Sequence, residues 1–199
     1  IEPQSQNYKL LSNNIKDNEL KNVKILKLAI SSKQGEAYMN IFNENLKNNF
    51  GDSKIFENNF QNSESVKVKT LDQLFYDDNN EKKPIKLIKC DAQGQELNII
   101  LGSKKIINAY KPFLYLENDD INTSKSLIEN IKNMGYIMFW HLPPLYNQNN
   151  FLKNSKNIFP KIISCNMLCI HQNTRIKLSE VWKRFKVKNS NDHPFKKNI

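Results

Sequence analysis

Glycine is scarce in this chain, with five in 199 residues, and no two of them are separated by a single residue. The sequence therefore lacks the Gly-x-Gly turn that cradles phosphates or a dinucleotide, and it also lacks a serine nucleophile elbow. Long apolar runs are missing too, since none approaches the roughly 20 residues of a membrane-spanning helix. The first residues show neither the basic start nor the apolar stretch of a secretory signal. We therefore expect a soluble, cytoplasmic protein, and the length favours one domain.

Arginine is nearly absent: 28 of the 30 basic residues are lysine, and only Arg175 and Arg184 are arginine. A net charge of +10 would ordinarily suggest a nucleic-acid partner. Because base reading and phosphate recognition favour arginine, a charge carried almost entirely by lysine argues against one. Residues 175–199 hold eight basic and two acidic side chains, whereas residues 1–174 hold 22 and 18. We interpret 1–174 as the domain and 175–199 as a basic tail. A short amphipathic helix is predicted in this tail, with an apolar face of Leu178, Val181, Trp182 and Phe185.

Three cysteines are too few for a disulfide framework. Cys165 and Cys169 are four residues apart in an apolar run, which in a strand separates them by ~13 Å and excludes a shared metal. We interpret them, with Cys90, as buried thiols. Since His171 and His193 have no acidic or cysteine partner at ligand spacing, no metal site is predicted.

Apolar segments with strand and helix periodicity alternate along the chain, which predicts an α/β sandwich with a mostly parallel sheet. Strands are predicted at 23–30, 37–42, 66–68, 85–91, 113–117, 136–141 and 162–170. Helices are predicted at 4–18 with Ser5 as cap, at 96–108 with a break near Gly102, and from a Ser124 cap to Gly135. Thr70 or Asp72 is predicted to cap a helical turn. Residues 43–64 are predicted to be a loop. Because no helix separates the last two strands, they should pair antiparallel across the long loop 142–160.

Three acidic residues, Glu2, Asp91 and Glu117, are predicted to stand where strands end. Ligands of open α/β sheets bind beyond the carboxyl ends of the strands. Glu2, which precedes Pro3 and a helix, could accept the two hydroxyls of a ribose, or could only favour the helix dipole. Asp91, followed by Gly94 and a helix, could face a ligand or could cap the turn.

His141 is predicted to end a strand beside the proline-rich and aromatic loop 142–160. Histidine has an ordinary pKa close to neutral, so His141 could serve as a general base there. A structural role for this side chain is the alternative.

Several segments also carry a family resemblance, and they occur in order over roughly residues 1–171. They are Ile1-Glu2-Pro3 with Asn13-Asn14-Ile15, Val68–Asp72, Ile88–Glu96, Lys111–Asn118, Gly135–Leu145 and Asn166–Cys169. Together they resemble FkbM-type S-adenosylmethionine-dependent methyltransferases.

The resemblance implies the class I methyltransferase fold, a Rossmann-like α/β sandwich whose strands are ordered 3-2-1-4-5-7-6 with strand 7 antiparallel. It implies S-adenosylmethionine as cofactor, and O-methylation of a small molecule or sugar as the reaction. The implied cofactor residues are Glu2 at the ribose with Pro3 beside it, Ala29, Ile30 and Ser31 at the adenine, and Asp91 with Gln93 near the methyl group.

For such a reaction we also predict where the substrate binds. Glu117, Asn118, His141 and the loop 142–160 would face the acceptor, with His141 or Asp91 as base and His141 preferred for its ordinary pKa.

Two features depart from the family pattern. Gln93 stands where the family usually has the glutamate of Asp-x-Glu-Gly. The first strand and its glycine-rich turn are not in the sequence, which begins with Ile rather than Met, so we expect a truncated fragment. Ile85, Leu87 and Ile88 would then lack a neighbouring strand.

Two alternatives stay open at this point. A nicotinamide-dependent oxidoreductase could use Glu2 at its own ribose in the same way. A non-catalytic or inactive remnant could serve as a binding module, in agreement with Gln93 and the basic tail.

Overall fold

The computed structural model describes residues 1–42, 54–77 and 83–196. The chain divides into two compact units. The first unit consists of Ile1–Lys83 with Asn98–Ile106, and the second unit of Pro84–Leu97 with Ile107–Ile199. Each unit contains a four-stranded sheet.

The described residues form five α-helices, eight strands and one π-helical turn at Gln73–Asp77. The helices are α1 Ser5–Asp17, α2 Glu96–Leu101, α3 Lys104–Tyr110, α4 Ile121–Asn133 and α5 Glu180–Lys183. The strands are β1 Ala29–Ile30, β2 Gly35–Asn40, β3 Ile55–Phe56, β4 Ser63–Lys69, β5 Leu87–Cys90, β6 Phe113–Glu117, β7 Tyr136–His141 and β8 Asn166–His171. The predicted loop 43–64 lies partly outside the described residues, and its described part contains β3 and the first residues of β4.

The sheet of the first unit has the order β1-β4-β2-β3. β1 is parallel to β4, whereas β2 is antiparallel to both β3 and β4. Every second residue of a strand faces the same side, and the side chains on one side form a buried cluster. Its members are Ala29, Ala37, Met39, Val66 and Val68.

Helix α1 forms where the apolar spacing predicts it, but the predicted cap is wrong. The N-cap is Gln4, whose side chain accepts a hydrogen bond from Asn7 N at 2.7 Å. Ser5 is the first helical residue and donates its N–H to Glu64 Oε1 at 2.7 Å and its hydroxyl to Glu64 Oε2. No local pattern predicts this contact, because Glu64 lies 59 residues further along the chain.

The strand predicted at 23–30 is much shorter in the structure. Its ladder with β4 involves only Ala29 and Ile30, and upstream of them Leu26 O accepts the N–H of Glu2 at 3.1 Å. A strand requires a partner along its whole length, and apolar composition alone does not provide one.

The break between α2 and α3 falls at Gly102, as predicted, and two caps hold this region. Thr70 Oγ1 accepts Gln73 N while Gln73 Oε1 accepts Thr70 N, both at 3.1 Å, which is a capping box. Asp72 instead caps α3, accepting Lys105 N at 2.9 Å and Ile106 N at 3.0 Å.

Replacing Asp72 by alanine is expected to lower the free energy of unfolding by about 2 kcal/mol, because two helix N–H groups lose their acceptor. Chemical denaturation measures this change. Asp77→Ala is the control, since Asp77 pairs with the exposed ammonium of Lys105 at 2.7 Å. Exposed ion pairs contribute little, so the control should be nearly neutral. Equal losses in the two variants would contradict the capping role of Asp72.

The sheet of the second unit has the order β5-β6-β8-β7. β5 and β6 are parallel, and β8 is antiparallel to both β6 and β7. This order is compatible with the 4-5-7-6 part of the implied order, and the antiparallel pairing of the last two strands is confirmed. The expectation of a mostly parallel sheet is wrong for the described strands, which pair twice in parallel and four times antiparallel. Strands joined without a crossover helix pair antiparallel, which explains the difference.

One face of this second sheet is buried. Leu114, Leu116, Met167 and Cys169 are all fully buried, and α4 packs against β7. On the edge strand β5, Ile88 is buried but Leu87 is 56% exposed. Ile88 therefore faces the buried side of the sheet and Leu87 the opposite side, since alternate residues of a strand point to opposite faces.

Helix α4 is capped by Asp120, whose Oδ1 accepts Asn122 N at 2.9 Å. Ser124, the predicted cap, is instead a buried residue inside the helix. The tail is attached to this unit: Trp140 N donates to Phe185 O at 2.8 Å and Val187 N donates to Met138 O at 2.9 Å. Within the described part of the chain, no helix is long and apolar enough to cross a membrane.

Candidate active site

Two acidic residues meet at the carboxyl edge of the second sheet. The register of β5 and β6 pairs Cys90 with Leu116, so Asp91 and Glu117 follow side by side. Asp91 is close enough to Glu117 to oppose its ionisation. Gln93 Nε2 lies 3.5 Å from Glu117 Oε2. Parallel strands thus gather three of the predicted site residues in one place.

The environment of Glu117 opposes its ionisation. Burial, followed by the charges of Asp91 and Asp119, the hydrogen bond with Asp91 and the charge of Glu96, raises the pKa of Glu117 to about 7. A half-buried carboxyl group among other carboxylates behaves in this way, because burial and nearby like charges both disfavour its ionised form. Glu117 can therefore both accept and release a proton near neutral pH.

The turn after β5 is held by Glu96, which is buried. Its Oε1 accepts Ala92 N at 2.7 Å, and burial nevertheless raises the pKa of Glu96. Gln93 and Gly94 both have positive φ, 50° and 90°. Glycine adopts this conformation without cost, whereas glutamine is strained, and such strain is common at functional sites.

A small cleft of about 10 Å³, room for about one water molecule, lies next to this turn. Gly94, Glu96, Glu117, Asn118 and Asp120 are among the residues that line it. Its polar lining is mainly acidic, so the cleft favours a ligand that carries positive charge.

His141 lies at the end of β7, apart from this group. β8 separates β7 from β6, and the register places Glu117, Asn166 and His141 in one row. His141 is therefore two strands, or about 10 Å, from Glu117. Its Nδ1 is 2.8 Å from the hydroxyl of Tyr115, and its ring is 5.7 Å from that of Trp182 in the tail.

Tyr115 is a site residue that the sequence reasoning missed. It precedes Glu117 by two positions in a strand, so the two side chains share a face of the sheet. That alternation was a usable signal.

Asn118 is buried, and the protein occupies its polar groups. Its N–H donates to Cys165 O at 2.8 Å, and its Nδ2 lies 3.3 Å from Met167 Sδ. Its carbonyl oxygen is 3.1 Å from Nε2 of His193, which is also buried. His193 of the tail is therefore hydrogen-bonded to the main chain of Asn118, a predicted substrate residue. No local sequence pattern predicts this contact.

The predicted ribose residue lies in the first unit. Glu2 Oε1 accepts Gln4 N at 2.9 Å, and Pro3 is partly buried beside it. Burial raises the pKa of Glu2, partly offset by that hydrogen bond.

The predicted adenine residues also lie in the first unit. Ala29 and Ile30 are buried. Ser31 donates its N–H to Lys69 O at 3.1 Å, and its carbonyl oxygen lies against Gly102, only 2.3 Å from where a Cβ would stand. Main-chain contacts thus hold Ser31 in place.

The interpretation of the cysteines as buried thiols is confirmed. Cys90, Cys165 and Cys169 are all free and buried. Burial raises the pKa of each thiol, to about 12 for Cys165 and further for the other two. Thiols of this kind are not nucleophiles at neutral pH.

The fold and the site together define an α/β protein with an acidic cleft at the carboxyl ends of two parallel strands. Residues 1–138 match the family described as the methyltransferase FkbM domain. The match covers 138 of 199 residues, and the chain belongs to this family. The resemblance predicted from the sequence is confirmed, and the family assigns the chain to the methyltransferases. No curated protein and no solved structure matches it.

The matched range divides the predicted site residues. Glu2, Asp91 and Glu117 lie inside it, whereas His141 and the tail lie beyond it. The carboxylates therefore belong to the part of the chain on which family membership rests.

Proposed function

We propose that this protein transfers a methyl group from S-adenosylmethionine to a hydroxyl of a small molecule or sugar. The observation that carries the proposal is the pair Asp91 and Glu117, gathered with Gln93 at the strand ends of a chain that belongs to the FkbM methyltransferases.

The residues present fit such a cofactor in two respects. Glu2 is partly buried, and among the described residues nothing donates to its Oε2, so this oxygen can accept a ribose hydroxyl. Within the second unit, the acidic groups around Glu117 favour a positive charge such as that of a sulfonium. When bound, S-adenosylmethionine supplies an electrophilic methyl group, and the chain supplies alignment and a proton acceptor.

The proton acceptor that we favour is Glu117. A hydroxyl that gains a methyl group loses its proton, and a base works best when its pKa lies near the working pH. The pKa of Glu117, about 7, meets this condition. Asp91, which pairs with Lys89 Nζ at 3.1 Å, lies beside Glu117, and Gln93 orients the carboxyl group of Glu117 through its amide. His141, the base preferred on sequence grounds, is the second candidate, with Tyr115 as its hydrogen-bond partner.

Gln93 also bears on the alternative of an inactive remnant. A glutamate in its place would set another negative charge near Glu117, whereas the amide can donate a hydrogen bond. The glutamine is therefore compatible with a working site, and we propose a catalytic rather than a remnant role.

The test is cofactor binding by isothermal titration, with S-adenosylmethionine, S-adenosylhomocysteine and a nicotinamide dinucleotide compared. We expect the first two to bind and Glu2→Gln to weaken them by roughly tenfold, since a charged acceptor of two hydroxyls is lost. Glu57→Gln, an exposed site in the same unit, is the control and should bind as the native protein does. Binding of the nicotinamide dinucleotide alone would overturn the proposal.

A further inference from the structure

The long connection between β7 and β8, residues 142–165, has an unusual surface. It contains three lysines, Lys153, Lys156 and Lys161, and no acidic residue. Seven of its large apolar side chains are exposed: Leu145, Phe151, Leu152, Ile158, Phe159, Ile162 and Ile163. Apolar exposure concentrated in one segment marks an interaction site rather than ordinary surface.

Phe151 and Leu152 are the most exposed of these side chains, at 97% and 83%. They are adjacent, and Lys153 follows directly. Two neighbouring side chains so fully exposed project from the surface instead of lining a groove. Their shape suits insertion into a soft medium better than docking on a rigid partner.

Asparagine side chains hold the turn that carries these two residues. Asn150 Nδ2 donates to Asn147 O at 3.0 Å and to Asn154 O at 2.7 Å, and Asn150 Oδ1 accepts Asn154 N at 2.9 Å. Tyr146 adds a hydroxyl bond to Asn154 O at 2.8 Å. Backbone groups around the turn therefore already have protein partners, which lowers the cost of moving the turn out of water.

The base of the connection is fixed as well. Leu145 N donates to Ile162 O at 3.1 Å, and Ser164 N donates to Pro143 O at 2.9 Å. The exposed apolar residues thus stand on a closed loop and not on a loose strand end.

We propose that this connection, the β7–β8 loop, binds the surface of an anionic lipid bilayer. Phe151 and Leu152 enter the boundary between headgroups and acyl chains, while Lys153, Lys156 and Lys161 contact the lipid phosphates. Apolar insertion and lysine attraction are the two signals that stable peripheral attachment requires. The absence of any acidic side chain from the loop sequence makes the charge complementarity one-sided. The inference goes beyond methyl transfer and does not depend on it.

The experiment is vesicle co-sedimentation of the protein. Phosphatidylcholine vesicles containing about one-third phosphatidylglycerol are compared with pure phosphatidylcholine vesicles. We expect binding to the anionic vesicles, weakened by salt. The double variant Phe151→Ser with Leu152→Ser should reduce the partition coefficient at least about tenfold. Lys153→Gln with Lys156→Gln should reduce it by roughly fivefold per lysine, and only on the anionic vesicles.

Matched controls come from the basic tail. Ile176 and Val181 are exposed at 50% and 62%, and Lys177 and Lys188 are exposed too. Replacing the two apolar residues by serine, or the two lysines by glutamine, should leave vesicle binding unchanged. Binding lost in the tail variants and kept in the loop variants would overturn the proposal, as would absence of binding by the native protein.

A tryptophan in place of Phe151 keeps an aromatic side chain at the tip of the loop and reports insertion through its fluorescence. Phe151→Trp should still bind the vesicles. The fluorescence of the added tryptophan, obtained by subtracting the native spectrum, should shift to shorter wavelength with anionic vesicles, because the indole enters an apolar layer. An unshifted emission from a bound protein contradicts insertion. It would point instead to a purely electrostatic contact or to a protein partner for the loop.

Discussion

Glu117→Gln is expected to lower the rate of methyl transfer by ~10²–10⁴-fold, because the amide cannot accept the proton of the hydroxyl. The substitution keeps the size of the side chain and its position beside Gln93 and Asp91. Loss of activity without loss of folding is therefore the expected signature of a base. The affinity for S-adenosylmethionine should change much less than the rate.

The same variant is expected to be more stable than the native protein above pH 7. The pKa of Glu117 is about 7 in the fold and is raised from an ordinary value of 4.5. A raised carboxyl pKa means that the fold favours the protonated form. The stability that protonated Glu117 contributes to the fold is fully present below pH 4.5 and is lost as the pH rises through 7. Glutamine is always neutral. The stability of the variant relative to the native protein should therefore increase from pH 4.5 to above pH 7, and the two should be equal below pH 4.5.

Two measurements follow for Glu117. Single-turnover rates against pH should rise through about 7 in the native protein, and chemical denaturation across the same pH range should separate the stabilities. Glu129→Gln, an exposed site on α4, is the control for both. His141→Asn tests the second base candidate. If His141→Asn loses the rate by the larger factor while Glu117→Gln keeps it, the assignment of the base is reversed.

Gly102→Ala is expected to lower the free energy of unfolding by about 1–3 kcal/mol, the usual cost of forcing an added group into a packed site. A Cβ at this position would stand 2.3 Å from the carbonyl oxygen of Ser31, and main-chain atoms cannot rotate away as a side chain can. Gly102 is also held on both sides, since its N–H donates to Asn98 O and its carbonyl oxygen accepts Asp72 N, both at 3.0 Å. Relief of the clash would therefore disturb those bonds or move Ser31.

Gly35→Ala is the matched control, because a Cβ there meets nothing within 4 Å. Alanine in that strand should leave the stability unchanged or raise it slightly, since glycine loses more backbone entropy on folding. Thermal and chemical denaturation of the two variants are compared directly. Equal stability of both would contradict the close approach at Ser31. Because Ser31 is a predicted adenine residue, Gly102→Ala should also weaken cofactor binding.

Local patterns in the sequence were sufficient for most of the regular elements. β6 at Phe113–Glu117 has the predicted bounds, and the helix break falls at Gly102, because apolar periodicity and glycine act within a few residues. The prediction of a full strand at 23–30 was wrong because strand pairing depends on distant residues. Its ladder depends on β4, some forty residues further along, and only Ala29 and Ile30 reach it.

The helix caps also show the difference between local contacts, which a sequence pattern predicts, and contacts between distant residues. Thr70 pairs with Gln73 three residues later, which a sequence can reveal. Ser5 instead bonds to Glu64, and the helix cap passes to Gln4. Asp72 serves a helix that begins more than thirty residues after it. Hydrogen bonds between distant residues depend on how the elements meet, and no local rule anticipates them.

The sequence by itself determined the family, the β5–β6 strand pair and the placement of Asp91 and Glu117 at strand ends. Those features follow from residue order, because a parallel strand delivers its last residue to a known edge of the sheet. Only the tertiary structure decided which groups act together. The register of β6, β8 and β7 places His141 two strands from Glu117, and the register of β5 and β6 places Glu117 beside Asp91. The raised pKa of Glu117 arises from that assembled burial and charge, which no single segment of the chain carries.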